Sequence, residues 1–180
     1  VLPNPYDPEN PTIFPDNKDH GSVDMRKGIA VSSNVYFYII GGGFKDQKGL
    51  GIYNIYKYAK MFGLGEKTGI DLQGEIEGVV PTPEWKAENF NGEPWRLGDT
   101  YHTSIGQYGF SVTPLQEVRA FGALASNGKI MKPILERVAT SSDPAKPQRT
   151  IDLPASYFKV IQEGMRRTVT EGTARSLDIS

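Results

Sequence analysis

The sequence predicts a mainly helical chain with little strand, and three observations carry that reading. Apolar residues recur three and four apart in runs at 52–62, 113–125 and 154–169, each with a recognisable start or stop signal. A single stretch, 130–140, reads as an extended strand. Finally, a polar triplet, Ser32-Ser33-Asn34, separates two more apolar segments where a helix start would need hydrogen-bonding side chains.

Taken in order, residues 1–21 carry Pro3, Pro5, Pro8, Pro11 and Pro15, which forbid a long helix and make this an irregular surface arm. Residues 22–31 read as a short amphipathic helix capped by Ser22, with Val23, Ile29 and Ala30 on its apolar side. After the triplet, 35–40 is apolar on every face and is expected to be buried, with Gly41-Gly42-Gly43 as the chain break and 45–49 as a polar loop. The helix at 52–62 is built on Ile52, Ile55, Tyr56, Ala59 and Phe62, and Gly63 stops it. Residues 65–80 read as loop with a small hairpin, and a helix of about two turns starts at Pro83 behind a Thr82 cap. The stretch 95–112 mixes aromatics, Gly and Thr and shows no helical period.

Thr113-Pro114-Leu115-Gln116 opens the clearest helix, with Leu115, Val118, Ala120, Phe121, Leu124 and Ala125 as its buried stripe and Asn127-Gly128 as its end. An exposed loop is expected at 141–148. The helix at 154–169 carries Tyr157, Val160, Ile161 and Met165 on one side, and a last segment starts near Gly172-Thr173-Ala174.

A chain of 180 residues fits one domain or a large piece of one, and its first and last residues read like those of an excised piece. With 38% hydrophobic residues, 23% charged and a net charge of −1, it has no nucleic-acid footprint. The absence of Cys removes disulfides and thiolate metal sites from consideration. No run approaches the roughly 18 to 20 apolar residues of a membrane helix, and no signal-like segment opens the chain.

Among candidate chemical groups, His20 and His102 stand about eighty residues apart without metal-ligand partners at helical spacing, and read as surface or packing residues. Gly41-Gly42-Gly43 lacks phosphate-loop spacing. Asp24, Asp99 and Glu117 are solvated or capping carboxylates, with no pairing for acid–base work visible in the sequence. Neither a metal nor any other cofactor is implied. Ser32-Ser33-Asn34, on its residues alone, reads as a helix cap.

The company the triplet keeps adds a second reading. His20-Gly21-Ser22-Val23-Asp24 leads through Ala30 to Ser32-Ser33-Asn34-Val35-Tyr36-Phe37; Phe62-Gly63-Leu64-Gly65 and Thr68-Gly69-Ile70-Asp71-Leu72 follow, with Gly74-Glu75. Ile105-Gly106-Gln107, Val112-Thr113-Pro114-Leu115-Gln116, Ala125-Ser126-Asn127-Gly128 with Pro133, and Glu171-Gly172-Thr173-Ala174 come after them in order. Over nearly its whole length the chain resembles the transpeptidase domain of bacterial penicillin-binding proteins, particularly the high-molecular-weight, monofunctional (class B-like) kind.

The resemblance implies an α/β fold overall, that of penicillin-binding proteins and serine β-lactamases, of which residues 1–180 are the central part: mainly the helical subdomain, with little strand. Of the superfamily's S-x-x-K, S-x-N and K-T-G motifs, it maps Ser32-Ser33-Asn34 onto S-x-N and expects the other two before Pro3 and after Ser180. Ser126-Asn127-Gly128-Lys129 and Lys67-Thr68-Gly69 match by letters but fall at a helix-ending turn and inside an earlier landmark, and both are rejected. The implied activity is a serine D,D-transpeptidase that cross-links peptidoglycan and is acylated by β-lactams, with Ser32 and Asn34 as catalytic residues and Asn34 also binding substrate. Ser33, the variable position, points inward.

Implied partners are D-Ala-D-Ala stem peptides, β-lactams and other cell-wall synthesis proteins, with no nucleic acid. The implied location is extracytoplasmic, with membrane anchoring only through an N-terminal segment outside this chain. The 180 residues alone are expected to be inactive and to bind penicillin non-covalently at best. The alternatives from another class are a β-lactam sensor that does not cross-link, and a helical interaction or scaffold module.

Overall fold

Seven α-helices and one two-residue strand pair are found among residues 9–135 and 146–178, which this computed structural model describes. The helices are α1 (Met25–Val31), α2 (Asn34–Gly42), α3 (Ile52–Met61), α4 (Pro83–Asn89), α5 (Leu97–Ser104), α6 (Pro114–Ala125) and α7 (Ala155–Thr170). Strand β1 (Lys129–Ile130) runs antiparallel to β2 (Arg149–Thr150), with Lys129 opposite Thr150 and Ile130 opposite Arg149. A 3-10 turn, Arg175–Leu177, closes the described chain.

Start signals act as their chemistry dictates. Thr82 and Thr113 each accept the backbone N–H three residues on, and Pro83 and Pro114 occupy first-turn positions where no N–H is required. At α6 the cap is reciprocal, because the Gln116 carboxamide oxygen accepts the Thr113 N–H at 3.3 Å. The first helix begins later than expected: Asp24, not Ser22, is its cap, its carboxylate accepting the Lys27 N–H at 2.8 Å. Gly63, with φ +85°, ends α3 as the sequence suggests.

Helix α5 lies in the 95–112 stretch where the sequence showed no period. Gly98, Thr100 and Thr103 are weak helix formers, so the helix is held by its surroundings. Asp99 accepts the Arg96 N–H at 2.7 Å, and buried Tyr101 donates its hydroxyl to the Gly43 carbonyl at 2.6 Å. Helix α2 lies directly against α5. A methyl group at Gly41 would overlap the Ser104 hydroxyl, and one at Gly42 the Tyr101 ring. Two of the three glycines therefore permit close packing inside the helix, and only Gly43, with φ +84°, serves as the break. The expectation of an all-round buried 35–40 is corrected, since Tyr38 is buried, Val35 is exposed and the rest are half-buried.

The core cluster joins Ala123 of α6, Ile130 of β1, Ile151 beside β2 and Phe158 of α7. The expected stripes on the two long helices reach it only in part: Leu124 packs against the cluster and Val160, Ile161 and Met165 are half-buried, while other members face away. On α6 the buried residues are Gln116, Arg119 and Ala123, whereas Val118 is 69% and Phe121 53% exposed. Burial of Gln116 is compensated by partners and that of Arg119 in part, its Nη1 facing the Glu66 carboxylate at 3.6 Å without a hydrogen bond. The Gln116 amide donates to the carbonyls of Glu66 and Glu77 at 2.7 and 2.9 Å, and Arg119 Nε donates to the Met131 carbonyl at 3.2 Å. On α7, Phe158 enters the core and Tyr157 stays out, 59% exposed.

Of the expected strand 130–140, only Ile130 lies in a strand among the described residues 130–135, and 136–140 lie outside them. Pairing stops at Ile130, since the Met131 carbonyl is taken by Arg119 and Pro133 has no N–H to give; 136–145, including part of the expected exposed loop, and residues 1–8 of the arm lie outside the described residues. No strand pair forms within 65–80 among the described residues. Glu75 instead folds that loop by accepting the Thr68 and Gly69 N–H groups, and Val79 bridges to Ser111.

Candidate functional site at the α1–α2 junction

The triplet is a joint between two helices, and each of its residues has a different task. Helix α1 ends with Ser32 in the left-handed region, φ 56° and ψ 51°. The Ser32 N–H donates to the Ile29 carbonyl at 3.2 Å and the Ser33 N–H to the Gly28 carbonyl at 3.0 Å. That bond pattern is a Schellman end, with Ser where Gly is usual. Ser33, only 2% exposed, is the cap of α2, its hydroxyl oxygen accepting the Tyr36 N–H at 3.2 Å. Asn34 is the first residue of α2. The capping reading of the triplet therefore holds for Ser33 alone.

Ser32 is exposed and Asn34 half-buried, and both line a cleft of about 260 Å³ whose other walls are Ser33, Phe37, Ser104 and Ile105. Among the described residues neither the Ser32 hydroxyl nor the Asn34 carboxamide is engaged in a hydrogen bond. The Ser104 hydroxyl is engaged, donating to the Thr100 carbonyl at 2.6 Å. The cleft adjoins a larger apolar groove of about 540 Å³ that shares Phe37 and Ser104 and continues along Ile40, Tyr58, Phe62 and Phe121. The rotated apolar face of α6 thus borders the groove.

On the opposite side, the N-terminal arm packs against the joint. Asp16 accepts the Ser33 hydroxyl at 2.6 Å and the backbone N–H groups of Asn34 and Val35 at 2.9 and 3.3 Å. Burial would raise the Asp16 carboxyl's pKa, but its donors, the Ser33 hydroxyl first and then the N–H groups of Asn17, Asn34 and Val35, outweigh it and hold the value below the ordinary 3.8. His20 Nε2 lies 2.6 Å from the Asn17 carboxamide oxygen and 4.0 Å from Asp16. The sequence offered no hint of Asp16, because its partners lie 17 to 19 residues away. The carboxylates judged to be caps behave as such: Asp24 caps α1, and Asp99 caps α5 while pairing with buried Lys86 at 2.8 Å. Among the described residues no group of three His, Asp or Glu side chains is arranged to hold a metal.

The two motif look-alikes have their hydroxyls engaged within the fold. Ser126 ends α6, and its hydroxyl donates to the carbonyls of Gly122 at 2.8 Å and Lys129 at 3.1 Å. Asn127 and Gly128 then turn through φ 55° and 92°, so Ser126 and Lys129 do not share a helix face. Thr68 is fully buried against Glu75.

Comparison with known proteins gives the family. Residues 4–179 match the family model described as the penicillin binding protein transpeptidase domain. A peptidoglycan D,D-transpeptidase MrdA of Acinetobacter baumannii is 32% identical over 164 residues, covering 88% of this chain but 23% of that protein. Among solved structures, penicillin-binding protein PBP2 of Helicobacter pylori in complex with MreC superposes with a TM-score of 0.76 at 34% identity, over 93% of this chain and 30% of that one. PBP2 of Pseudomonas aeruginosa in complex with WCK 5153 gives 0.78 at 26% identity, over 94% and 39%. The chain spans about a quarter of the length of the curated relatives it matches. Its seven helices and short strand pair are a mostly helical part of their fold. The chain belongs to the penicillin-binding-protein transpeptidase domain family, of the class B kind.

Proposed function

We propose that this chain is the central part of a serine D,D-transpeptidase that cross-links peptidoglycan stem peptides outside the cytoplasm and is acylated by β-lactams. The observation that carries the proposal is the pair, Ser32 hydroxyl and Asn34 carboxamide, unengaged among the described residues and lining one cleft from a backbone fixed on both sides. Relatives named peptidoglycan D,D-transpeptidase and PBP2 support the reaction class.

In the proposed mechanism the nucleophilic Ser and its activating Lys lie outside these 180 residues. The Ser oxygen attacks the penultimate D-Ala carbonyl, the peptide bond breaks, and the terminal D-Ala amine leaves with a proton. An amine of a neighbouring stem then displaces the Ser oxygen and completes the cross-link. Ser32 relays the proton between the Lys and the leaving amine, a task that needs contact distance and a free hydroxyl rather than a shifted pKa. Asn34 donates its amide to a substrate or β-lactam carbonyl and orients it. The apolar groove beside the cleft is the wall on which the nucleophile-bearing part of the protein packs.

No described helix is long and apolar enough to cross a membrane. Partners are other cell-wall synthesis proteins, as the PBP2 relative in complex with MreC suggests. Labelled-penicillin acylation of the intact protein tests the proposal. Ser32→Ala should acylate far more slowly than wild type, and an unchanged rate would remove Ser32 from the mechanism. A covalent adduct on the 180-residue chain would place the nucleophile inside it and overturn that part.

A further inference from the structure

Four backbone N–H groups at the start of an α-helix lack partners within the helix. At α2 these belong to Ser33, Asn34, Val35 and Tyr36, and two are settled at the joint itself: the Ser33 N–H donates to the Gly28 carbonyl at 3.0 Å and the Tyr36 N–H to the Ser33 hydroxyl at 3.2 Å. The remaining two, of Asn34 and Val35, donate to Asp16 on the distant arm. The same carboxylate takes the Ser33 hydroxyl proton, which leaves that oxygen's lone pairs free for Tyr36. Next to Asp16, the Asn17 side-chain amide reaches the Val31 carbonyl at 3.5 Å, while the Asn17 N–H donates to Asp16 at 2.9 Å. Two adjacent arm residues therefore grip the chain immediately before and immediately after Ser32.

The arm is itself anchored. Phe14 stands edge-on to Tyr38 and Tyr101, with ring centroids 5.6 and 5.0 Å away, and the Lys27 ammonium donates to the His20 and Ser22 carbonyls at 3.0 and 3.1 Å. Ser32 needs such a grip, because a non-glycine residue in the left-handed region relaxes towards right-handed or extended backbone if its neighbours loosen. Relaxation would swing its hydroxyl away from the cleft.

We infer that Asp16 is a positioning residue of the acyl-transfer site: from the N-terminal arm its carboxylate fixes the Ser33–Val35 backbone, and so aims the Ser32 hydroxyl and the Asn34 carboxamide into the cleft. This rests on the catalytic reading of the triplet given above. Asp16 touches no substrate and acts through Ser33 and Asn34. The isosteric amide of Asp16→Asn keeps one acceptor oxygen: with its NH2 in place of Oδ2 it loses the acceptor shared by the Ser33 hydroxyl and the Val35 N–H, and with its NH2 in place of Oδ1 it loses the acceptor of the Asn34 N–H.

The test is acylation of the intact protein by a fluorescent penicillin, separating the first-order rate at saturation from the half-saturating concentration, with thermal melts alongside. Asp16→Asn should lower the saturated rate about tenfold, in line with the rate sensitivity of reacting groups to sub-ångström misplacement. Asp16→Glu, which keeps the charge but lengthens the reach, should lie between Asn and wild type. Ile151→Val, in the remote core, supplies a control with a comparable loss of melting temperature and an unchanged rate. Rates for both Asp16 variants equal to that of the Ile151→Val control would overturn the proposal. Ser32→Ala in the same assay separates the two levels. If it is slow while the Asp16 variants are not, only the role of Asp16 fails; if it too acylates at the wild-type rate, the catalytic reading of the triplet fails with it.

Discussion

Two junctions in this chain present a serine hydroxyl next to a residue with positive φ, and they do opposite things with it. At the end of α1 the left-handed residue is Ser32 itself, its hydroxyl is unengaged among the described residues, and it borders a cleft. At the end of α6 the left-handed residue is Asn127, and the hydroxyl of the preceding Ser126 donates to backbone carbonyls on both sides of the turn. The second hydroxyl is part of the turn; the first is left over after the backbone of its turn is satisfied. A hydroxyl available for proton transfer is one that the fold does not need, on a backbone that other groups hold still.

Substituting both serines should break the symmetry of that comparison most visibly. In the intact protein Ser32→Ala should slow penicillin acylation by about 100-fold, the scale of a lost general acid–base group, and Ser126→Ala should leave it within about twofold. Equal effects would mean that exposure of the hydroxyl does not distinguish the junctions. Next in size, Asn34→Ala should weaken penicillin engagement by up to about tenfold, the equivalent of one hydrogen bond, read as a higher half-saturating concentration.

Glycine at the two left-handed positions sharpens the comparison in a different currency. Both Ser32→Gly and Asn127→Gly relieve left-handed strain and should stabilise the protein by up to about 1 kcal/mol in thermal melts. Only Ser32→Gly should also lose acylation, and a protein destabilised by it would show that Ser32 is not strained.

The smallest effect concerns pH. The folded Asp16 pKa is lowered below 3.8, so its stabilising contribution is complete above the unfolded value and disappears as pH falls through the folded one. Wild type should therefore exceed Asp16→Asn in stability by a margin that is constant at neutral pH and shrinks below about pH 4. The pH-dependent part should amount to about 0.5 kcal/mol, typical of a carboxylate at a helix N-terminus. A margin that does not vary with pH would deny the carboxylate its charge-dependent role.

Local chemistry made much of this legible in advance. Thr82-Pro83 and Thr113-Pro114 start helices because cap and first-turn preferences act over three residues, and Gly63 stops one for an equally local reason. Helix α5 was not legible, since Gly98, Thr100 and Thr103 oppose it and contacts of Tyr101 and Asp99 overrule them. Nor was the buried side of α6, where Gln116 and Arg119 find their partners on distant loops. Of the candidate site, Ser32 and Asn34 could be named from their motif and its ordered neighbours. Asp16 could not.

By itself, then, the sequence determined where α4 and α6 begin and where α3 ends, that Ser32-Ser33-Asn34 lies at a joint between two helices, and which family's landmarks surround it. These depend on residues within one or two helical turns. The tertiary structure alone decided which of the three side chains caps, which face of α6 enters the core, and that an arm residue holds the joint from behind. Those outcomes depend on desolvation and on hydrogen bonds between residues far apart in the chain, and no local pattern encodes them.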